Sequence, residues 1–258
     1  MQRAASSPDA GAPVAARARV LGCPVDVVDL RAAVDTLVRL VEQKREDASL
    51  PGALVVTLNP EMVMRARSDP AFRRAVQGAR LLVPDGIGIV RAIRRRGHPA
   101  ATRVTGADML LAYLPEAVAR GHRIALAGAG QGVAIAAKRV LEQRFPGVRV
   151  VAADAGAPDA ALARRLRDAR PDMVWSAFGH GRQELFITQH IDEIGAGVGV
   201  GVGGTLDYLA GRTPRAPALV RDAGLEWAWR LMIQPWRLRR QLQLPRYWVL
   251  ERQEARRC

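Results

Sequence analysis

Between residues 53 and 202, short apolar runs alternate with helical patterns, and this alternation constrains the fold more than any other feature. ALVVTL (53–58), ARLLV (79–83), RIALAG (123–128), VRVVAA (148–153), MVWSAF (173–178) and GVGVGV (197–202) read as strands. Near-continuous apolar strands are buried on both faces, so the amphipathic segments between them predict an α/β, Rossmann-like, mostly parallel sheet with helices on both sides. Helix starts and stops agree with this reading. Asp29 is placed to cap a helix over 30–43, and Asp69-Pro70 sets a carboxylate before a first-turn proline. Gly78 and Gly121 mark helix ends. Ahead of the first long helix, RVLGCPVDVVD (19–29) predicts a small hairpin around Gly22-Cys23-Pro24.

The chain of 258 residues divides into a loose leader (1–16), an α/β body (17–211) and a helical C-terminal appendage (212–258). The leader has no continuous apolar stretch of the kind a secretory signal needs, and no run of 18 apolar residues marks a membrane span. Cys23 and Cys258 offer no disulfide framework, which suits a reducing cytoplasm. The net charge is +14, and it is unevenly spread. Residues 212–258 hold 11 arginines against Asp222, Glu226, Glu251 and Glu254, a net of +7, together with Trp227, Trp229, Trp236 and Trp248. Leu225, Trp229, Met232 and Ile233 fall on one helical stripe before Pro235 interrupts it. Trp236, Arg237, Arg239 and Arg240 open a second segment. Arginine and tryptophan on short amphipathic helices suit an anionic bilayer surface, although the stripe also fits simple packing on the body. Because most of the alternation precedes Gly211, a chain ending there is expected to stay folded.

In open α/β sheets the cleft lies beyond the carboxyl ends of the strands. There the sequence sets Asn59-Pro60-Glu61, Pro84-Asp85-Gly86 and Gly179-His180-Gly181-Arg182-Gln183-Glu184. Each also has an ordinary reading, with Asp85-Gly86 as a turn and Asn59 as a helix cap. GAGQG (128–132) follows a strand and opens a helix, as a phosphate-binding turn does, but Val133 stands where a dinucleotide fingerprint has its third glycine. With Asp154 as a ribose-binding acid, an NAD-type oxidoreductase remains an alternative; a noncatalytic nucleic-acid-binding protein is another, drawn from the basic, aromatic tail. The four histidines have no zinc-site spacing, and no GxSxG elbow, P-loop or Asp-x-Asp clamp occurs. Asp26 and Asp29 suit a turn and a cap.

Taken together, TLNPEMV (57–63), PDGIGIV (84–90), RVTGADML (103–110), GRQE (181–184), GVGGTLDYLAGRTPRAP (201–217) and LEWAWRLMIQPWRLRRQ (225–241) resemble the WecB/TagA/CpsF family of bacterial glycosyltransferases, in order and spacing over about residues 19–248. One departure is Gly181, where the family commonly has proline. The resemblance implies an inverting, metal-independent transfer of a sugar, N-acetylmannosamine in the prototype, from a UDP-sugar to an undecaprenyl-diphosphate-linked sugar during cell-surface polysaccharide synthesis. It implies Asp85 as the base, with Thr57, Asn59, Arg103 and Gln183 around the reacting sugar. Substrate binding falls to Gly86, Thr105, Asp108, Arg182 and Glu184, with Arg215, Arg230 and Arg237 brought in by the appendage. No cofactor and no metal are expected. The implied partners are the UDP-sugar, the lipid-linked acceptor and the anionic surface of the inner membrane, approached peripherally from the cytoplasm, with no nucleic acid. Self-association of the body is also implied.

Overall fold

The computed structural model describes residues 16–217, 219–220, 226–235, 238 and 242–256. Its first element is the hairpin, β1 (Arg17–Val20) and β2 (Cys23–Asp26). The turn is Leu21-Gly22, both at positive φ, one residue earlier than the glycine-proline pattern suggested, because Val20 pairs with Cys23 and carries Cys23-Pro24 into the strand. Asp29 caps α1 (Leu30–Glu46), accepting from the Ala32 N–H at 2.8 Å.

The six predicted runs then form one parallel sheet: β3 (Ala53–Leu58), β4 (Leu81–Pro84), β5 (Arg123–Gly128), β6 (Arg149–Asp154), β7 (Met173–Ala177) and β8 (Val198–Gly201), in the order β4-β3-β8-β7-β5-β6. Helices α2 (Pro60–Ser68) and α3 (Pro70–Gly78) join β3 to β4, while α4 (Ile87–Arg95) and α5 (Gly106–Arg120) cross to β5. Helices α6 (Val133–Arg144), α7 (Ala160–Ala169) and α8 (Arg182–Ile194) link the remaining strands, and α9 (Thr205–Leu209) follows β8. Strand alternation divides the core into two layers. Leu54, Val56 and Leu58 of β3 join one layer and Val55 the other; in β7, Val174 opposes Met173 and Trp175.

The chain leaves β3 toward the β4 edge and leaves β5 toward the β6 edge, so a crevice opens between the diverging connections at the strands' carboxyl ends. The leader lies outside the described residues except for Ala16. In the appendage, α10 (Glu226–Ile233) stops before Pro235 as predicted, with Trp229 and Ile233 half-buried and Met232 exposed; Leu225 and Trp236 fall outside the described residues.

Helix α11 (Leu244–Ala255) changes the expectation for the tail. Its Tyr247 and Glu251 are fully buried against the body. The Tyr247 hydroxyl donates to the Gly88 carbonyl at 3.2 Å, and Glu251 accepts from Arg95 and Arg96. Glu254 accepts from Arg96 at 2.5 Å and from the Leu21 N–H of the hairpin turn at 2.8 Å. A chain ending at Gly211 therefore lacks part of its core.

Candidate active site

The crevice is a cleft of about 1230 Å³. On its floor stands Thr57, the penultimate residue of β3, whose hydroxyl donates to the Gly201 carbonyl at 2.9 Å and ties β3 to β8. Asn59 follows, capping α2 by accepting from the Met62 N–H at 3.0 Å, so the cap and the cleft position belong to one residue. Beside it, β4 delivers Pro84-Asp85-Gly86. The Asp85 N–H donates to the Leu58 carbonyl at 2.8 Å, fixing that corner. Gly86 takes φ +117°, a conformation that favours glycine, and turns the chain directly into α4.

Across the cleft, β7 leads into Gly179-His180-Gly181 and α8. Here Glu184 is fully buried, accepting from the Gly181 N–H at 2.5 Å and from Gln183 Nε2 at 2.7 Å. The other end of the Gln183 amide, Oε1, accepts from the Gly203 N–H at 3.1 Å. One Gln-Glu pair thus locks the glycine loops beyond β7 and β8 together. Burial pushes the Glu184 carboxyl up from its ordinary value, against hydrogen bonds that favour the carboxylate. Gly181 sits at φ +91°, closed to proline, and an added Cβ there would lie 1.9 Å from an Arg65 guanidinium nitrogen. Arg65 also donates to the His180 carbonyl at 3.1 Å, so a packed arginine supports the loop where the family resemblance anticipated proline.

The appendage forms the remaining wall with Trp227, Leu231, Leu238, Leu242, Leu244 and Trp248. Arg103 donates to Glu226 at 3.1 Å, joining the cleft floor to α10. The cleft is polar where the strands end and apolar where the tail covers it.

Residues 18–257 match the glycosyl transferase WecG/TagA/CpsF family. The chain belongs to that family. Among its relatives is the N-acetylglucosaminyldiphosphoundecaprenol N-acetyl-beta-D-mannosaminyltransferase of Bacillus spizizenii (strain ATCC 23059 / NRRL B-14472 / W23), 32% identical over 76% of this chain and 77% of the relative. The protein of the same name from Staphylococcus aureus (strain NCTC 8325 / PS 47) is 29% identical over 86% of this chain and 89% of its own length. This chain is a glycosyltransferase. The oxidoreductase and noncatalytic nucleic-acid readings give way to that assignment. Asp154, moreover, is taken by Arg165 at 2.6 Å and by the Gly156 N–H at 2.7 Å, which hold its carboxyl below the usual range.

Within this cleft the structure brings together Asp85, Thr57, Asn59, Arg103, Gln183, Gly86, Thr105 and Arg182. Three other expected binding residues, Glu184, Asp108 and Arg215, do not line it. Glu184 supports Gln183, as described above. Asp108 accepts from the Thr105 hydroxyl at 2.7 Å and from Arg215 at 2.5 Å, so these two anchor the 212–217 segment to the first turn of α5. Arg237 and the side chain of Arg230 lie outside the described residues. The cleft also includes Glu61, Arg91, His180, Asp207, Glu226 and Trp227, none of which had been singled out as a site residue. Glu61 and His180 were legible as strand-end neighbours, and their side chains approach to 3.8 Å. Arg91 carried a weaker signal, its spacing of one helical turn from Ile87.

Proposed function

We propose that this transferase moves a sugar, with N-acetylmannosamine as the prototype, from a UDP-sugar to an undecaprenyl-diphosphate-linked sugar, inverting the anomeric centre without a metal ion. The observation that carries this reading is the meeting of Asp85, Asn59, Arg103 and Gln183 with an apolar wall in one cleft, in a relative of enzymes named for a lipid-diphosphate acceptor. Asp85 takes the proton of the acceptor hydroxyl as that oxygen attacks the anomeric carbon. The bond from that carbon to the UDP oxygen breaks, and UDP leaves with the electron pair. Guanidinium and backbone N–H donors balance its charge. Arg182, on the cleft wall, is suited to that role, with tail arginines as further candidates.

Metal independence is supported by the lack of an Asp-x-Asp pair in the sequence. Peripheral docking on the cytoplasmic face of the inner membrane is supported by the basic tail and by the exposure of Trp227, Met232, Leu242 and Val249. No helix among the described residues is long and apolar enough to cross a membrane. Self-association stays with the family resemblance and is read by sedimentation.

The test is a screen of radiolabelled UDP-sugars against short-chain lipid-diphosphate acceptors, with the product's anomeric configuration read by NMR. Transfer from at least one UDP-sugar, with inversion and in excess EDTA, is the expected result. Retention of configuration would remove the single-displacement mechanism. Loss of activity in EDTA with rescue by Mg²⁺ or Mn²⁺ would remove the metal-free reading.

A further inference from the structure

We infer that Arg91 holds the diphosphate of the lipid-linked acceptor, one sugar ring outward from the hydroxyl that Asp85 deprotonates. This rests on the transferase reading above and assigns a residue to the acceptor within it.

Helix α4 starts directly behind Asp85-Gly86, and its Ile87, Gly88 and Arg91 all line the cleft. Positions i, i+1 and i+4 lie on one side of a helix, and four residues advance it by about 6 Å. One wall therefore carries a carboxylate just ahead of the helix and, six residues along the chain, a guanidinium one turn beyond Ile87. Helical side chains lean toward the helix start, so the Arg91 guanidinium reaches back toward Asp85, and a pyranose ring spans such a pair with its far hydroxyl at the carboxylate and its phosphate-bearing oxygen at the guanidinium.

The neighbouring arginines are already engaged. Arg94 donates to the Ala101 carbonyl, Arg95 and Arg96 bind Glu251, and Arg103 binds Glu226. Arg91 is exposed to the cleft and makes no hydrogen bond or ion pair among the described residues. Its charge is left for something that enters. Further along the same cleft, Leu244, Pro245 and Trp248 of α11, with Leu238 and Leu242, supply apolar lining for the first units of a prenyl chain. A cation between a carboxylate and an apolar wall has the order of groups in a lipid-diphosphate sugar: hydroxyl, anion, hydrocarbon.

The donor's diphosphate fits Arg91 less well. In a direct displacement the leaving group departs on the side opposite the attacking oxygen. With the acceptor along α4, UDP falls toward the loop after β7, where Arg182 stands. Strands β4 and β7 are three places apart in the sheet, about 14 Å at the usual strand spacing.

Two variants, Arg91→Gln and Arg91→Lys, test this in the full-length protein; both lie on an exposed helical surface, where substitutions cost little stability. Transfer is measured to a short-chain prenyl-diphosphate sugar and to the same sugar as an alkyl glycoside lacking the diphosphate. Arg91→Gln should raise the KM for the diphosphate acceptor about tenfold or more, the scale of a lost charge-assisted contact. Its donor KM should stay within about twofold, and transfer to the alkyl glycoside should be unchanged. Arg91→Lys, keeping the charge without the fork, should recover part of the loss. An unchanged acceptor KM, a raised donor KM, or an equal penalty on both acceptors would overturn the assignment. Calorimetric titration of the prenyl-diphosphate sugar gives a second readout that needs no turnover. If the wild-type protein transfers no sugar, the transferase reading fails, whereas equal affinity of wild type and Arg91→Gln in the titration overturns Arg91 itself.

Discussion

Asp85 is a carboxylate at a strand end, fixed through its own backbone N–H and followed by a glycine that turns the chain away. That arrangement suits a base that must face the substrate without moving. Asp85→Asn keeps size and polarity and removes the proton acceptor, so turnover should fall by about 10²–10⁴-fold. UDP affinity and the unfolding midpoint should stay near wild type; unchanged turnover at saturating acceptor would remove the assignment. Glu184 answers to a different constraint. Both of its oxygens accept from N–H donors in a buried site. Because burial raises its folded-state pKa, the native chain binds the proton more readily than the unfolded chain. Its contribution to stability is thus largest at low pH and declines as pH rises through the raised value. Glu184→Gln should abolish that slope in denaturation midpoints measured across the carboxylate range. It should also cost about 1–3 kcal/mol, since the new NH₂ must face a donor while Gln183 Oε1 is held by Gly203. An unaltered slope would show that another group carries it.

At the scale of elements, α4 is the part on which the site depends most, and it is gripped from two sides. Pro60 at the start of α2 presses on Gly88, where an added Cβ would lie 2.7 Å from the proline Cγ and 3.4 Å from Tyr247. Gly88→Ala should push α4 away from α2 and widen the gap between Asp85 and Asn59. A stability loss of about 1–3 kcal/mol with a larger proportional loss of turnover is expected, read from thermal midpoints and kcat. From the other side, Glu251 holds Arg95 and Arg96. Glu251→Ala takes one of two carboxylates from the largely buried Arg96 guanidinium and should cost about 1–3 kcal/mol in denaturant unfolding. Hydrogen exchange should accelerate in α4 and α11 together; acceleration confined to α11 would mean that the clamp does not support α4. The capping signals that predicted these helices are local, and they agree with the structure at Asp29, Asn59, Asp69 and Gly121.

For the molecule as a whole, the appendage serves the body as well as the cleft. Ending the chain at Gly211 removes Tyr247 and Glu251 from buried positions and Glu226 from Arg103. The shortened protein should unfold at lower denaturant and temperature, and it should also lose binding to anionic vesicles, to which each basic residue contributes only about 1 kcal/mol. Replacing exposed Trp227, Met232 and Val249 by serine should separate the effects, weakening vesicle binding while leaving the unfolding midpoint nearly unchanged. Loss of stability without loss of vesicle binding would leave packing as their role. The sequence alone determined the parallel sheet, the hairpin, the caps and the motif-bearing strand ends. Each of these follows from periodicity or from residues three or four apart, where the backbone itself dictates who meets whom. Only the tertiary structure decided that Asp108 pairs with Arg215 and Glu184 is buried instead of lining the cleft, that Arg103 meets Glu226 from 123 positions away, and that α11 belongs to the core. Those pairings depend on strand order and on where the chain returns after β8, and no local pattern of residues encodes either.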